Sequence, residues 1–490
     1  MVNQNIRKLL GKIALWSIFL VLVLFVVLTR LYEYGNLLDS VGTIDTQSYI
    51  ETSELKFPSL AFFTSERSAT LPLLYKIFRP QGGYQVNHIS KPANAQVELR
   101  PKDNPGFERI IFFQIAMAIL GWVSLAFVLF RHLNNIVVRI VSVILVLLFG
   151  LSPQMADWDQ ILLSESLSFS FFALMIALII ELAFSLIEKR PAWVSYIWIG
   201  LLTLVTTVWI FTRDTNNYFI LFSIFLVTLL ITFAFWRKPI DPVRLIMLLI
   251  AWVMLFGFHQ ATFRISDRWL KPFLNNMTQN IFPYPGRVKF FEARGMPVTP
   301  ELLRMVDYAE YSGIYEQDEF IAWAKRRGLS SYMEFLIRSP IWAFQSIYND
   351  MNILFSENVQ PYFRVTPSDS PFEKFLQKTA KRPWWLLIIG ESLHPVSSGV
   401  LFISLFLTSM IIILAFRWRT PQAITWAILA CWIFLGGLIL LITGYLGEVR
   451  SIIRHAMAGV VPLRLSVWLL SAILADLILS LPKEKNPARS

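Results

Sequence analysis

Long apolar runs separated by short polar connections set the pattern of this chain. Ten of them stand out, at 10–29, 108–130, 135–151, 165–186, 192–211, 215–235, 243–263, 396–416, 422–444 and 456–480. Each is near the length needed to cross roughly 30 Å of hydrocarbon as a helix. The pattern predicts an all-α polytopic membrane protein of about ten transmembrane helices. The first run has basic flanks like a signal peptide, but it is long for one and no small-residue cleavage site follows, so it reads as an anchor. Two intervals are too long to be tight connections, 30–107 and 264–395. They divide the chain into an N-terminal membrane module (1–263), a large loop (264–395) and a C-terminal membrane module (396–490).

Both long intervals carry short helical patterns. In the first, Leu71-Pro-Leu-Leu-Tyr75 precedes a Gly82-Gly83 turn, and Phe57, Leu60, Phe62 and Phe63 suit a segment lying against the bilayer. In the second, Pro283-Tyr-Pro-Gly286 marks a turn, and helix-like stretches follow at 301–311 and 318–338. Phe320, Trp323, Tyr332, Phe335 and Leu336 give an irregular amphipathic pattern that reads as a membrane-skimming helix.

Composition agrees with the membrane assignment. Of 490 residues 55% are hydrophobic and 16% charged, against about 25% charged in soluble domains. Cys431 is the single cysteine, so no intrachain disulfide forms. The net charge of +11 is spread as small clusters between apolar runs, which argues against nucleic acid and for topology signals. With a cytoplasmic N-terminus, Arg7, Lys8, Lys12, Arg131, Arg139, Lys189, Arg190, Arg237, Lys238, Arg244, Arg417, Arg419, Lys483, Lys485 and Arg489 all fall on the cytoplasmic side, as does the C-terminus. Both long loops and the connections 152–160, 211–217 and 445–450 then face the other side.

That opposite face gathers acids. Asp45 follows the first run and shares a helical face with Tyr49. An ionised acid just outside a membrane can act as general base toward a hydroxyl. A helix cap is the plainer reading, and Asp39 is a weaker alternative base. Asp157 and Asp159 precede Glu165, which opens the fourth run beside Ser164 and Ser168. Three acids so close can share a divalent metal, Mg or Mn, position sugar hydroxyls, or form an interfacial cap with Trp158 as headgroup anchor. Arg213, Arg450, Arg454 and His455 supply the cations of the short connections on this face. Arginine binds phosphate bidentately, so they suit a phosphate; pairing with the acids, with Glu448 or with lipid headgroups is the other use.

Walker A, dinucleotide-fingerprint, His-Glu-x-x-His and Gly-x-Ser-x-Gly motifs are absent. Chemistry on this face therefore needs an activated substrate already present there. Ile44-Asp-Thr-Gln-Ser-Tyr49 with Leu71-Pro-Leu-Leu-Tyr75, Ile161-Leu-Leu-Ser-Glu-Ser-Leu167, Thr212-Arg-Asp-Thr-Asn216 and Glu448-Val-Arg-Ser-Ile-Ile-Arg-His455 together resemble the GT-C superfamily of membrane glycosyltransferases. The first loop departs from the family in lacking a paired Asp-Asp or Asp-Glu. The resemblance implies an inverting hexosyltransferase that uses an undecaprenyl- or dolichyl-phosphate sugar donor and a glycan, lipid or protein hydroxyl as acceptor. Asp45 would be the base, and Arg213 or Arg454, with or without a metal at Asp157, Asp159 or Glu165, would stabilise the departing phosphate. It also implies a bacterial plasma membrane and a role in cell-envelope glycan synthesis. A membrane glycan polymerase or ligase would use the same face. A lipid or glycan transporter would instead place polar groups such as Glu181 and His259 at mid-membrane depth. An Asn-Met-Thr sequon begins at Asn276.

Overall fold

The computed structural model describes residues 2–36, 42, 44–84, 87–88, 99–100, 105–237, 242–309, 311–356, 381–450 and 452–480. Asp39, Lys238, Lys483, Lys485 and Arg489 lie outside them. The described residues are all-α apart from a two-residue strand pair, Asn87–His88 with Leu99–Arg100. Its main helices are α1 (Val2–Tyr34), α2 (Ile44–Glu54), α3 (Thr70–Ile77), α4 (Pro105–His132), α5 (Ile136–Leu151), α6 (Glu165–Ile187), α7 (Ala192–Ile210), α8 (Asn216–Arg237), α9 (Pro242–Ile265), α10 (Leu270–Asn276), α11 (Leu329–Arg338), α12 (Pro340–Ser356), α13 (Trp384–Leu393), α14 (Gly399–Trp418), α15 (Pro421–Gly447) and α16 (Ile452–Leu479).

Among the described residues nine helices are long and apolar enough to cross a membrane, and a tenth crossing forms if the bent pair 136–151 and 153–160 counts as one. The sixteen residues of α5 reach only about 24 Å at 1.5 Å each. The chain then turns by 50° into a short helical piece that carries Asp157 and Asp159. This piece is not a surface connection. Asp159 and Gln160 are fully buried, and Trp158 packs against Phe169 in the interior instead of anchoring at headgroups.

Burying those acids demands partners, since an uncompensated charge in a low-dielectric interior is expensive. Arg30, at the end of α1, donates from Nε and Nη2 to one Asp159 oxygen at 2.9 and 2.7 Å, while Ser166 Oγ donates to the other at 2.6 Å. The remaining Arg30 nitrogen donates to the Gly150 carbonyl at 2.7 Å, which fastens α1 to the bend. Asp157 pairs with Arg382, whose guanidinium lies 3.9 Å from the Tyr34 ring centroid. The residues before α13 are thereby tied to the same bend.

The last two helices pack on glycine. A Cβ at Gly444 would come within 2.5 Å of the His455 carbonyl, and one at Gly459 would overlap the Leu441 backbone. Small residues at these positions let α15 and α16 approach closely, as is usual between helices in lipid. At 27 and 28 residues both helices extend to about 40 Å, longer than the roughly 30 Å hydrocarbon layer.

The large loop folds on itself. Phe320, Trp323, Tyr332 and Phe335 do not skim the membrane; they bury with Phe273, Phe291 and Trp269 in a separate core. The helix-like stretch at 318–338 is interrupted by a π turn at Ala324–Gly328, which rotates its apolar side chains onto that core. Helix α12 then descends along α15 and α16: Tyr445 donates to Asp350 at 2.6 Å, and Arg464 donates to the Phe355 carbonyl at 2.9 Å. Asn276 is buried, and its amide donates to the Pro272 and Gly447 carbonyls, so the sequon is unavailable to a glycan.

At the opposite, basic end, Glu181 meets Arg131 at 3.1 Å, His132 at 3.2 Å and Arg190 at 3.3 Å. It lies close to the end of α6 and not at mid-depth. His259 likewise sits 3.1 Å from Asp214, near the far end of α9. Replacing Asp159 by Ala leaves Arg30 buried and unpaired, and is expected to lower stability by about 3–5 kcal/mol. The double variant Arg30→Met/Asp159→Leu is expected to cost far less than the sum of its parts, measured by equilibrium unfolding in mixed micelles.

Candidate active site

Five charged residues from five segments line up at one end of the bundle in alternating sign: Arg67, Asp45, Arg454, Glu165 and Arg213. Asp45 sits in the first turn of α2, where the helix N-terminus favours an acid. Glu165 begins α6, and Arg454 lies in the first turn of α16. Arg213 occupies the turn between α7 and α8, and Arg67 precedes α3. These positions are far apart in sequence, and only the packing of the bundle brings them together.

The contacts are direct. Arg67 Nη2 donates to Asp45 Oδ1 at 2.7 Å, and Arg454 Nη1 donates to Asp45 Oδ2 at 2.6 Å. Arg454 Nε reaches across to Glu165 Oε1. Arg213 Nη1 stands 3.7 Å from the same Glu165 oxygen, and its Nη2 donates to the Arg454 carbonyl at 3.3 Å. Glu165 is fully buried, and its Oε2 accepts no hydrogen bond from the described residues. Asp45 and Arg67 remain about one-fifth exposed, so the open side of the chain of charges is theirs.

The floor under Asp45 is aromatic and rigid. Tyr49, one turn along α2, carries the Arg67 guanidinium 5.1 Å above its ring and stacks on Tyr75 at 6.2 Å. Tyr75 is fixed by its hydroxyl donating to the Leu162 carbonyl at 3.2 Å, and Thr46 donates to that same oxygen. Burial pushes the Asp45 carboxyl up, but Arg454 and then Arg67 outweigh it and hold the group well below the ordinary carboxylate range. Burial, aided by the charges of Asp45 and Glu165 and opposed by Arg67 and Arg454, pushes the Tyr49 hydroxyl up, so it stays protonated.

Of the residues singled out by sequence, Asp45, Glu165, Arg213 and Arg454 converge. His455 follows Arg454 in the first turn of α16, half-buried. Arg450 turns away, over the rings of Tyr308 and Tyr311 at 5.5 Å each. Its backbone N–H donates to Glu448, whose carboxyl is pushed up by burial. Asp157 and Asp159 do not join the site, because Arg382 and Arg30 hold them in the bend below it. A shared metal at Asp157, Asp159 and Glu165 is therefore not supported: Asp157 and Asp159 are held by arginines away from Glu165, and among the described residues no three His, Cys, Asp or Glu side chains converge.

Arg67, Arg268 and Lys271 were not marked by sequence. Arg67 is the lone arginine ahead of Leu71-Pro-Leu-Leu-Tyr75, and that position was the available signal. Arg268 donates to Asp214 at 3.1 Å and to the Phe63 and Ser65 carbonyls at 3.1 and 3.2 Å. It thus pins the neighbours of both Arg213 and Arg67. Lys271, in α10, is held below its ordinary range by burial and then by Arg450.

No protein-family model and no curated protein matches the sequence. Among solved structures the chain is similar to the archaeal oligosaccharyltransferase AglB of Archaeoglobus fulgidus in complex with an inhibitory peptide and a dolichol-phosphate, at 12% identity and a TM-score of 0.43. That alignment covers 96% of this chain and 51% of the other. Another structure of the A. fulgidus oligosaccharyltransferase, in complex with Zn and sulfate, aligns at 11% identity and a TM-score of 0.42 over 94% of this chain and 51% of that one. The chain thus spans about half the length of these solved structures.

A carboxyl whose folded value is depressed stabilises the fold above its ordinary range, and that contribution fades as pH falls through the depressed value. The Asp45→Asn variant is therefore expected to melt below the wild type by a constant margin from about pH 5 to pH 8. The margin should close only well below about pH 4, where Asp45 itself protonates. Thermal unfolding in detergent across this range checks both statements.

Proposed function

We propose that this protein is an inverting glycosyltransferase that moves a sugar from a polyprenyl-phosphate donor to a hydroxyl acceptor on the non-cytoplasmic membrane face. The observation that carries the reading is the alternating chain Arg67–Asp45–Arg454–Glu165–Arg213 at the membrane boundary. It sets a partly exposed carboxylate beside guanidinium groups, which is what hydroxyl activation next to a departing phosphate needs. The GT-C resemblance of the sequence supports the same assignment, with the donor a lipid-borne sugar in cell-envelope glycan synthesis.

In this mechanism the acceptor oxygen forms a bond to the anomeric carbon from the face opposite the phosphate. The bond from that carbon to the phosphate oxygen breaks, and the phosphate leaves with the electron pair. Asp45 takes the acceptor proton. Each of its oxygens already accepts one arginine bond, yet a carboxylate has about four acceptor positions, so a hydroxyl can still approach. The arginines leave Asp45 a weak base. That suffices where the transition state is oxocarbenium-like, because the hydroxyl becomes acidic only as its bond to carbon forms. Arg454 and Arg213 hold the developing phosphate charge, in a boundary where the low dielectric strengthens the attraction.

The transporter alternative draws no support from Glu181 or His259, since both are paired near helix ends. With purified protein, a polyprenyl-phosphate sugar and a panel of hydroxyl acceptors, Asp45→Asn is expected to lower transfer by about 10²–10⁴-fold while the donor still binds. Unchanged transfer by the folded variant removes Asp45 as the base. Arg213→Ala is expected to raise the donor KM by about 10–100-fold, as the loss of one charge-assisted phosphate contact would. A parallel effect on an uncharged acceptor would argue against phosphate recognition.

A further inference from the structure

We propose that the Arg454 guanidinium stands where a divalent cation would otherwise bridge Asp45 and Glu165, so that this site works without a metal. The inference rests on the reading of Asp45 and Glu165 as parts of one glycosyl-transfer site. Two carboxylates from the first turns of separate helices, facing each other across one cationic group, form an arrangement that oxygen-liganded metals commonly occupy. Here the cationic group belongs to the chain. Different nitrogens of one planar guanidinium serve the two acids, Nη1 to Asp45 at 2.6 Å and Nε to Glu165.

Three further observations fix the arginine in that place. Its carbonyl accepts from Arg213, so the backbone at Arg454 is held to the turn that carries Arg213. Gly444 lets the first turn of α16 lie against α15, which brings Arg454 over the N-terminus of α6. The two acids are also flanked by Arg67 and Arg213, so three guanidinium groups already face two carboxylates in the chain of charges. With the Arg454 guanidinium already between the two acids, a divalent ion there would meet like charge at contact distance, which disfavours its binding far more than the outer arginines do. The arginine provides the positive charge that a metal would offer a departing phosphate. It brings no exchangeable ligand position and no dependence on metal supply.

Manganese binding by electron paramagnetic resonance tests this without any need for turnover, and so separates it from the choice of donor and acceptor. The wild-type protein is expected to take up no Mn²⁺ at the site. Arg454→Ala should gain one Mn²⁺ site, about tenfold or more tighter than any wild-type binding, and a second change, Asp45→Asn or Glu165→Gln, should abolish it. Arg454→Lys, which keeps the charge, should stay metal-free and serves where the alanine variant does not fold. Mn²⁺ bound by wild type and lost in Asp45→Asn would overturn the proposal, as would a folded Arg454→Ala that binds no metal. Where transfer is measurable, wild-type activity is expected to survive EDTA, and its loss on chelation would overturn the proposal.

Discussion

A charge at the edge of hydrocarbon must be neutralised by the protein itself, and this requirement shapes the whole molecule. Asp45, Asp157, Asp159 and Glu165 each find an arginine on another segment. Asp45 and Arg454 are 409 positions apart, Arg382 and Asp157 are 225 apart, and Arg30 and Asp159 are 129 apart. Such pairs are poor sources of net stability, because desolvation offsets most of their attraction, but breaking one is costly. They therefore act less as glue than as a rule about which helices must meet. The packing of α1, the bend after α5 and the segment before α13 all follow from satisfying two buried acids.

Two kinds of ionic contact result, and their exposure separates them. Arg30 and Asp159 are 2% and 1% exposed and hydrogen-bonded on every side that matters to the bend. Arg67 and Asp45 are 23% and 21% exposed, and the aromatic shelf of Tyr49 and Tyr75 supports them from one side only. The first pair is closed to any ligand. The second has an open flank, and this difference, more than residue type, distinguishes framework from site.

The membrane helices were legible in the sequence because hydrocarbon imposes a length and a composition that little else imitates. The acids were legible too, since a carboxylate beside an apolar run stands out. Their partners were not. Nothing in the spacing of Arg30, Arg67 or Arg382 records which distant carboxylate each will meet, so three clustered acids read equally as metal ligands, sugar positioners or an interfacial cap, while Asp157 and Asp159 are paired with Arg382 and Arg30. The large loop misled for a local reason. Its π turns at Met277–Ile281 and Ala324–Gly328 break the 3.6-residue period on which amphipathic patterns are read. In the irregular stripe at 318–338, Phe320, Trp323, Tyr332 and Phe335 record a packed core.

The excess length of α15 and α16 also has a consequence for what the site can reach. Arg454 lies in the first turn of α16, and the close glycine packing fixes that turn against α15. Set upright in a bilayer with their far ends at one boundary, these helices would outrun the hydrocarbon by roughly 10 Å and carry the guanidinium groups to the level of lipid headgroups. The paired helices thus work as a ruler: they set the height at which charge is presented. A phosphate esterified to a membrane-buried tail rests at that height by its own partitioning, whereas a freely dissolved phosphate has no preferred level.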